Sequence, residues 1–218
     1  MKEKPKVIVF SSGTKDGGGS GFENLVSISR EGNPKINYEV VAVVSNHENG
    51  GVRERADKLG IPFIYFEKPF SAEKYDEIIK NSGAQWTALS GWLKLTKGLD
   101  PKYTFNIHPG KLPEFGGDGM YGIHVHEAVI EAKASATAVT MHFVTDIYDD
   151  GPVFFDFPVE VEEGDDSLTV VTSDNEEKEI KILPDIMAAY LSWAFPDEFQ
   201  KPIVMVEVAF NSASGKAP

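Results

Sequence analysis

The chain contains no cysteine among its 218 residues, which excludes disulfide bonds, thiolate nucleophiles and cysteine-ligated zinc. No apolar run approaches the ~18 residues that a membrane-spanning helix needs. The short apolar run at residues 7–10 leads straight into a glycine-rich segment, so it does not form the core of a signal peptide. We therefore expect a globular protein of the cytoplasm.

Basic residues are few relative to acidic ones. Lysine and arginine number 21 against 34 aspartates and glutamates, which gives a formal charge of −13 at pH 7. A negative field of this size repels nucleic acid and anionic membrane surfaces, so we expect neither as a partner. A phosphorylated small molecule would bind only where backbone N–H groups and nearby cations offset the field.

Short apolar, β-rich runs alternate with amphipathic segments through the first half of the chain. Five such runs predict strands: residues 7–10, 38–45, 62–66, 86–89 and 103–107. Three helices are predicted in the intervals between them, at residues 22–28, 52–59 and 71–79. Gly60 is predicted to end the second of these helices, and Ser71 is predicted to cap the third. This alternation indicates β-α-β units, so we predict an α/β fold with a doubly wound, mostly parallel sheet.

The rhythm changes beyond residue 108. Residues 109–122 are rich in glycine and proline and predict a long, mobile loop. The segments that follow are predicted as a helix at 124–131, strands at 136–144 and 153–161, an acidic hairpin at 162–166, a helix at 176–195 kinked at Pro184, and an edge strand at 203–208. We expect this part of the sheet to be antiparallel.

The sequence offers no internal repeat or linker that would divide it into two units. We therefore predict one domain over residues 1–210, with a phosphate-binding half up to about residue 100 and a catalytic half after it. The small, polar tail at 211–218 is predicted to be frayed.

A glycine-rich loop follows the first predicted strand. Residues 14–21 contain four glycines and lead into a predicted helix. Glycines let backbone N–H groups approach a ligand closely, and a helix N-terminus carries about half a positive charge, so the segment suits a phosphate. It matches neither the dinucleotide-binding fingerprint nor the P-loop. A flexible strand-to-helix turn without a ligand is the alternative interpretation.

Asn106 and His108 stand at the end of the fifth predicted strand, where open α/β sheets bind their ligands. Residues two apart on a strand point the same way, so an amide and an imidazole would face one space, where they can stabilise an oxyanion. The alternative is a pair that only satisfies a turn.

Further along the chain, residues 142–152 predict a strand that enters an acidic turn. One carboxylate of this turn could reach His108 and raise the pKa of its imidazole. The alternative is an aspartate-rich turn that is simply solvated.

Together these segments resemble the folate-dependent formyltransferases. The resemblance rests on Asn106-Ile107-His108-Pro109, on the run His142-Phe143-Val144-Thr145-Asp146, and on Asp149 followed by Gly151-Pro152. It extends through residues 55–62, 89–95 and the pair His124 and His126, and covers residues 6 to about 195. It implies a Rossmann-like formyltransferase fold and transfer of a formyl group from 10-formyltetrahydrofolate, without a metal. The implied acceptor is the amine of phosphoribosylglycinamide, in purine biosynthesis.

The same resemblance implies roles for individual residues. Asn106 and His108 would polarise the formyl carbonyl and hold the oxyanion, while Asp149 would pair with His108 and help to move the proton. The residues implied to bind the acceptor are Gly17, Gly18, Gly19, Ser20, Gly21 and Glu179. The residues implied to line the folate pocket are Trp92, Leu93, Lys94, Leu95, Thr145 and Asp146.

The chain departs from the family's pattern near the acceptor and the folate tail. Its glycine loop is longer, and residues 117–121 lengthen the segment that precedes the two histidines. Asp150 stands where the family has a glycine, and Ala72 stands where it has an arginine that meets the folate's glutamate carboxylate. A cation to replace that arginine could come from Lys74 or Lys111.

Three other functions stay open. A formyltransferase could act on another amine, such as a nucleotide-linked amino sugar. A zinc-dependent hydrolase would combine histidines with Asp146 or Asp149, because His-x-His pairs and carboxylates bind zinc; its histidines would be His108, His124, His126 and His142. A nucleotide-binding module without catalysis is the third.

Overall fold

The computed structural model describes residues 4–30, 38–161 and 164. Its strands are β1 (Lys6–Phe10), β2 (Glu39–Ser45), β3 (Phe63–Tyr65), β4 (Trp86–Leu89), β5 (Thr104–His108), β6 (Ala136–Phe143) and β7 (Val153–Glu160). Its helices are α1 (Ser20–Arg30), α2 (Gly51–Leu59), α3 (Ala72–Ser82) and α4 (Ile123–Glu131). Within these residues, no helix combines the length and the apolar character needed to cross a membrane.

The described strands form one mixed sheet in the order β3-β2-β1-β4-β5-β6-β7. The first five strands are parallel: β1 lies between β2 and β4, with β3 beside β2 and β5 beside β4. The direction then reverses, because β6 is antiparallel to β5 and β7 is antiparallel to β6. The predicted fold class, a mostly parallel doubly wound sheet with an antiparallel C-terminal part, is confirmed.

Apolar clusters cover both faces of the parallel strands, and β1 shows why. Val7 and Val9 pack with the buried side chains of α1 and α2 on one face. Ile8 and Phe10 pack on the other face with Tyr75 of α3. A parallel sheet that is buried on both sides needs continuous apolar runs rather than alternation, which is the pattern that predicted these strands.

An aromatic cluster fixes the segment that follows β4. The Trp92 indole N–H donates a hydrogen bond to the Tyr75 hydroxyl at 2.9 Å. The ring centroids of Phe10 and Phe66 lie 5.4 and 6.0 Å from that of Trp92. Burial raises the pKa of the Tyr75 hydroxyl to about 12, despite the Trp92 hydrogen bond that lowers it. The start of the segment after β4 is therefore held firmly against α3.

The predicted helix ends are confirmed at α2 but not at α3. Gly60 follows α2 with a φ of 66°, a left-handed conformation that glycine adopts without strain. Ser71 precedes α3, but its side chain makes no capping hydrogen bond to the backbone. It bonds instead to the carboxylate of Glu73 and lowers the pKa of that group. The expectation that the Ser71 side chain caps this helix was wrong: its hydroxyl is directed at the Glu73 carboxylate and accepts no backbone N–H of the first turn.

Several predictions for the C-terminal part lie outside the described residues. These are the helix at 176–195, the edge strand at 203–208, the tail at 211–218 and, apart from Gly164, the hairpin at 162–166. The single domain over residues 1–210 includes this part and stays a prediction.

Replacing Phe22 by alanine tests the packing of α1 on the sheet. Phe22 is fully buried, so Phe22→Ala is expected to lower the free energy of unfolding by about 3–5 kcal/mol. Tyr65→Ala, at a strand position that is 43% exposed, should cost less than about 1 kcal/mol. Urea denaturation of both variants measures the difference, and equal losses would contradict this packing.

Candidate active site

A cavity of about 650 Å³ lies at the carboxyl ends of β4 and β5. Its wall is formed by residues 91–96 after β4, by the end of β5, by residues 117–122 and by the segment that follows β6. A cavity of this size can hold a ligand of several fused or linked rings. The topology places it where parallel α/β sheets bind ligands.

Asn106 and His108 both line this cavity, as their spacing on β5 predicted. Because β6 is antiparallel to β5, His142 lies directly opposite Asn106 in the sheet. The Asn106 Nδ2 atom is 3.0 Å from Nε2 of His142. An amide and two imidazoles are therefore brought together by strand register alone.

The Asp149 carboxylate lies between the two imidazoles. Its Oδ2 atom is 3.5 Å from Nδ1 of His108, and its Oδ1 atom is 3.4 Å from Nε2 of His142. The Gly117 N–H also donates a hydrogen bond to Oδ2 at 3.0 Å. The structure thus brings Asn106, His108 and Asp149 together, although Asp149 lies 41 residues beyond His108 in the chain (149 minus 108).

A tight turn delivers Asp149 to this position. Asp149 itself has a φ of 53°, in the left-handed region, which aspartate tolerates better than most residues. Two residues later, a Cβ atom at Gly151 would collide with the Phe143 carbonyl oxygen. Glycine at 151 therefore lets the chain double back closely enough for Asp149 to face His108.

The tautomer of His108 follows from its second contact. Its Nε2 atom is 2.7 Å from the Phe115 carbonyl oxygen. A carbonyl oxygen can only accept, so Nε2 carries a proton and donates it. In the neutral ring Nδ1 then has a lone pair, and this is the nitrogen that faces Asp149. His108 can therefore take up a proton at Nδ1.

The pKa of His108 is lowered from its ordinary value of 6.5. Burial is the main cause, since the residue is only 3% exposed, and the charge of His142 adds to it. Asp149 and the Phe115 carbonyl both raise the pKa, but by less. The expected upward shift was therefore wrong in its net sign, because the desolvation of a buried imidazole exceeds its attraction to one carboxylate. The ring is neutral at pH 7.

The Asp149 carboxyl shows the opposite balance. Burial raises its pKa, but the contact with the His142 imidazole, the charge of His108 and the Gly117 N–H together lower it below the ordinary 3.8. Asp149 is therefore an anion at neutral pH, beside a neutral imidazole that gains stabilisation as soon as it accepts a proton.

Sequence reasoning named His142 only as part of a motif and as a possible zinc ligand. Its Nδ1 atom lies 2.9 Å from the Phe143 carbonyl oxygen, which fixes the ring. Its Nε2 atom meets both the Asn106 amide and the Asp149 carboxylate. The Asn106 amide carries two N–H groups and at most one can point at His142, so His142 orients the other. The signal that could have revealed this role is the antiparallel pairing of β5 with β6.

His126 also lines the cavity and is only 5% exposed. Within the described residues its Nδ1 atom is buried and has no hydrogen-bond partner. Burial lowers the pKa of this imidazole, and the charge of His108 adds to that effect. His124, by contrast, is exposed and its nearest carboxylate is Glu127, at 3.2 Å.

The zinc hypothesis requires these histidines to converge on one ion. In residues 4–30, 38–161 and 164, no group of three or more histidines and carboxylates has the geometry to hold a metal. His124 is paired with Glu127 on the surface of α4 rather than turned to the cavity, whose wall does not include it. The described site therefore gives the hydrolase hypothesis no support.

Most residues implied to bind folate lie in the cavity wall, and these are Trp92, Leu93, Lys94, Leu95 and Thr145. Asp146 does not line the cavity in the described structure, and its role in folate binding stays a prediction. Its Oδ1 atom accepts a hydrogen bond from the Gly98 N–H at 2.9 Å. This hydrogen bond ties the turn after β6 to the segment after β4.

The expected replacement cations do not reach the cavity. The Lys74 ammonium donates to the carbonyl oxygens of Glu67 and Lys68 at 3.3 and 3.5 Å. The Lys111 ammonium lies 3.6 Å from the carboxylate of Glu114. Among the described residues of the wall, Lys94 is the one that carries a positive side chain. It therefore replaces Lys74 and Lys111 as the candidate partner for an anionic tail.

The glycine loop lies beside the cavity rather than in its wall. Gly18 and Gly19 have φ values of 85° and 83°, and α1 begins at the next residue, Ser20. The loop connects to the cavity through Ser12, whose Oγ atom accepts the Leu93 N–H at 2.9 Å. The five loop residues implied to bind the acceptor therefore adjoin the site. The sixth, Glu179, lies outside the described residues.

Local charges leave the N-terminus of α1 attractive to an anion. Glu23 lies in the first turn, where it would repel a phosphate, but it forms an ion pair with Arg55 and lies 3.7 Å from Lys58. The Arg55 Nε–H also donates to the Gly18 carbonyl oxygen at 3.0 Å. Arg55 thus offsets the Glu23 carboxylate and engages one loop carbonyl, which favours anion binding at the N–H groups of the first turn.

The sheet order and the cavity at the carboxyl ends of its parallel strands are those of a Rossmann-like fold. Residues 5–187 match the family model described as formyl transferase. The match covers most of the chain, and the protein belongs to the formyl transferase family.

Individual relatives show which formyltransferases the chain is similar to. The chain is 36% identical over 169 residues to the chloroplastic phosphoribosylglycinamide formyltransferase of Arabidopsis thaliana, covering 72% of this chain and 56% of that protein. It spans about half the length of the curated relatives that it matches first.

Solved structures of proteins with the same name are also similar to this chain. Phosphoribosylglycinamide formyltransferase from Bacillus halodurans superposes with a TM-score of 0.74 at 26% identity, covering 86% of this chain and 95% of that one. The enzyme from Brucella melitensis gives a TM-score of 0.69 at 28% identity, with coverage of 88% and 96%.

Replacing Asp149 by asparagine tests the balance of charges around His108. Because the carboxylate raises the His108 pKa, Asp149→Asn should lower this already depressed pKa further. A proton NMR titration of the imidazole is expected to give a midpoint below 6.5 for the unaltered protein and a lower one for the variant. Asp146→Asn, in the same turn, should leave the midpoint unchanged. An upward shift in Asp149→Asn would refute the pairing.

Proposed function

We propose that this protein transfers the formyl group of 10-formyltetrahydrofolate to the primary amine of phosphoribosylglycinamide, in purine biosynthesis. The observation that carries the proposal is the meeting of Asn106, His108 and Asp149 at one cavity. The amide, the neutral imidazole and the carboxylate are the groups that acyl transfer between two nitrogens requires. The names of the similar proteins support this particular acceptor.

Asn106 acts on the charge that develops at oxygen. When the amine attacks the formyl carbon, the C=O bond becomes a C–O⁻ group in a tetrahedral intermediate. The Asn106 N–H that is not directed at His142 donates to this oxyanion. A single preorganised donor of this kind accelerates acyl transfer by about 10²–10³-fold. The fixed His142 ring keeps the amide from rotating away.

His108 moves the proton. The attacking nitrogen becomes positively charged and gives its proton to the lone pair on Nδ1 of His108. The resulting imidazolium is stabilised by Asp149 at Nδ1 and by the Phe115 carbonyl at Nε2. It also stabilises the oxyanion, and then returns the proton to N10 of the folate as the C–N10 bond breaks. The products are the formylated acceptor and tetrahydrofolate, with no net change in protons on the enzyme.

The side chains of the cavity wall match the chemistry of the folate co-substrate. Trp92, Leu93 and Leu95 give the wall an apolar surface, which suits a flat bicyclic ring. Lys94 lies in the same wall and can meet a carboxylate of the folate's glutamate tail. These residues bind and orient the co-substrate so that its formyl carbon faces Asn106.

The features of the glycine loop favour an acceptor that carries a phosphate. The first turn of α1 has free N–H groups, which suit a phosphate. Its acidic residue, Glu23, is already paired with Arg55 and so repels a phosphate less. The loop is connected through Ser12 to the cavity wall, so a bound phosphate would lie beside the reacting groups. The acceptor amine can then reach the formyl carbon from the side of the glycine loop.

An acceptor panel tests the proposal. With 10-formyltetrahydrofolate, loss of the formyl group should be fast with phosphoribosylglycinamide and slow with nucleotide-linked amino sugars. Asn106→Ala should lower kcat by about 10²–10³-fold, because it removes the oxyanion donor. Asp146→Asn keeps a side-chain oxygen that can accept the Gly98 N–H, so it should retain most of the activity. Transfer to an amino sugar alone would contradict the acceptor, and no transfer to any amine would contradict the reaction.

Gly19 tests the phosphate site. Its φ is 83°, and a Cβ atom would approach Val52 Cγ2 to 3.0 Å, so Gly19→Val should distort the loop. The expected result is a KM for phosphoribosylglycinamide raised about tenfold or more, with a much smaller change in kcat. Gly83→Val is the matched control, since it imposes the same backbone strain at a φ of 70° where nothing lies within 4 Å. Equal effects of both variants on KM would remove the loop from acceptor binding.

A further inference from the structure

The lengthened glycine loop contains a small hairpin at residues 14–17. The Thr14 N–H donates a hydrogen bond to the Gly17 carbonyl oxygen at 2.8 Å, and the two residues form an antiparallel bridge. At the base of the hairpin the chain lies against itself, since a Cβ atom on Gly18 would be 2.5 Å from Cα of Gly13. The hairpin therefore leads directly into Gly18 and Gly19, the two residues that precede α1.

This hairpin packs on the N-terminus of α2, at Gly50 and Gly51. The Gly51 N–H donates a hydrogen bond to the Thr14 carbonyl oxygen at 3.3 Å. Gly50 has no side chain with which to cap the helix, so the Thr14 carbonyl satisfies an N–H group that a cap would otherwise serve. A Cβ atom on Gly50 would collide with the same carbonyl oxygen. The hairpin and the start of α2 therefore hold each other in place.

Gly51 makes the closest approach to the hairpin. A Cβ atom at this position would overlap the backbone of Gly17 at its Cα, C and O atoms. Backbone atoms cannot rotate away as the end of a long side chain can. Alanine forms helices better than glycine, so the stability of α2 alone would favour alanine at position 51. The glycine is therefore explained by the hairpin that lies on it and not by the helix.

Val52, the next residue of α2, contacts the loop from the same side. Val52 is only 2% exposed, and a Cβ atom on Gly19 would lie 3.0 Å from its Cγ2 atom. A Cβ atom on Gly13 would lie 2.6 Å from the same methyl group. The first two residues of α2 thus support both the hairpin and the residues just before α1. A loop that is ordered before its ligand arrives loses less conformational freedom on binding.

We propose that Gly51 is a positioning residue for the acceptor: it supports the hairpin at residues 14–17 and so holds Gly18 and Gly19 ready for the phosphate. This inference rests on the proposed function, which assigns the acceptor's phosphate to the glycine loop. Gly51 acts through the loop and does not touch the acceptor. A side chain at position 51 displaces the hairpin from α2, so that only a fraction of the molecules keeps the loop in its binding conformation. The apparent affinity then falls by that fraction.

Gly51→Ala tests the inference through the separation of KM from kcat. If between about a third and a tenth of the molecules keep the hairpin in place, KM for phosphoribosylglycinamide rises about 3- to 10-fold. The kcat at saturating acceptor should stay within about twofold, because Asn106, His108 and Asp149 are unaltered. KM for 10-formyltetrahydrofolate should not change.

Gly60→Ala is the matched control. It introduces the same side chain at the opposite end of α2, where φ is 66° and nothing lies within 4 Å of the added Cβ atom. It therefore strains the same helix without touching the hairpin, and both KM values should stay unchanged. An equal rise in the acceptor KM for Gly51→Ala and Gly60→Ala would assign the effect to a weakened helix and overturn the inference.

Hydrogen exchange at the Thr14 amide measures the hairpin directly in the unaltered protein. Because this N–H is bonded to Gly17, it should exchange slowly before any acceptor is added, with little further slowing when phosphoribosylglycinamide binds. In Gly51→Ala the same amide should exchange faster. A Thr14 amide that is protected only after the acceptor binds would overturn the inference, whether or not Gly51→Ala folds.

These outcomes are distinguishable from failure of the proposed function. If the unaltered protein formylates phosphoribosylglycinamide and Gly51→Ala does so with the same KM, the inference is wrong and the proposed function stands. If the unaltered protein formylates no phosphorylated amine, the proposed function fails and the inference fails with it.

Discussion

A buried carboxylate placed between two imidazoles is the interaction on which the site depends. Asp149 contacts His108 and His142 and is held by the Gly117 N–H. Removing it would leave His108 neutral but without a counter-ion for the proton that it accepts. The ionised carboxylate costs free energy to bury, and the surrounding hydrogen-bond donors more than offset that cost, since its pKa lies below the ordinary value.

The topology of the sheet explains how these groups meet. Parallel strands deliver β5 to the edge where ligands bind, and the reversal at β6 sets His142 opposite Asn106. The turn after β6 then returns Asp149 to the same edge, while the segment before α4 supplies the carbonyl of Phe115. Four separate stretches of chain thus converge, and each contributes at least one group with a defined hydrogen-bonding role.

The sequence was sufficient for the described strands and, through the family resemblance, for the pairing of His108 with Asp149, but it was insufficient for the pKa of His108. Continuous apolar runs predict buried parallel strands because both faces of such a sheet are covered. The net pKa depends on burial and on the Phe115 carbonyl, which lies seven residues away in a segment without regular periodicity. The direction of the Asp146 side chain could not be predicted either: a carboxylate in a turn can face either side, and in the structure it accepts the Gly98 N–H.

The most direct test of this arrangement is the position of the proton on His108. Nitrogen-15 NMR of the imidazole ring at pH 7 distinguishes a protonated Nε2 from a protonated Nδ1 by their chemical shifts. The Phe115 contact predicts a neutral ring with its proton on Nε2 and a bare Nδ1 facing Asp149. A neutral ring with the proton on Nδ1, or an imidazolium at that pH, would contradict the proton transfer on which the proposed reaction depends.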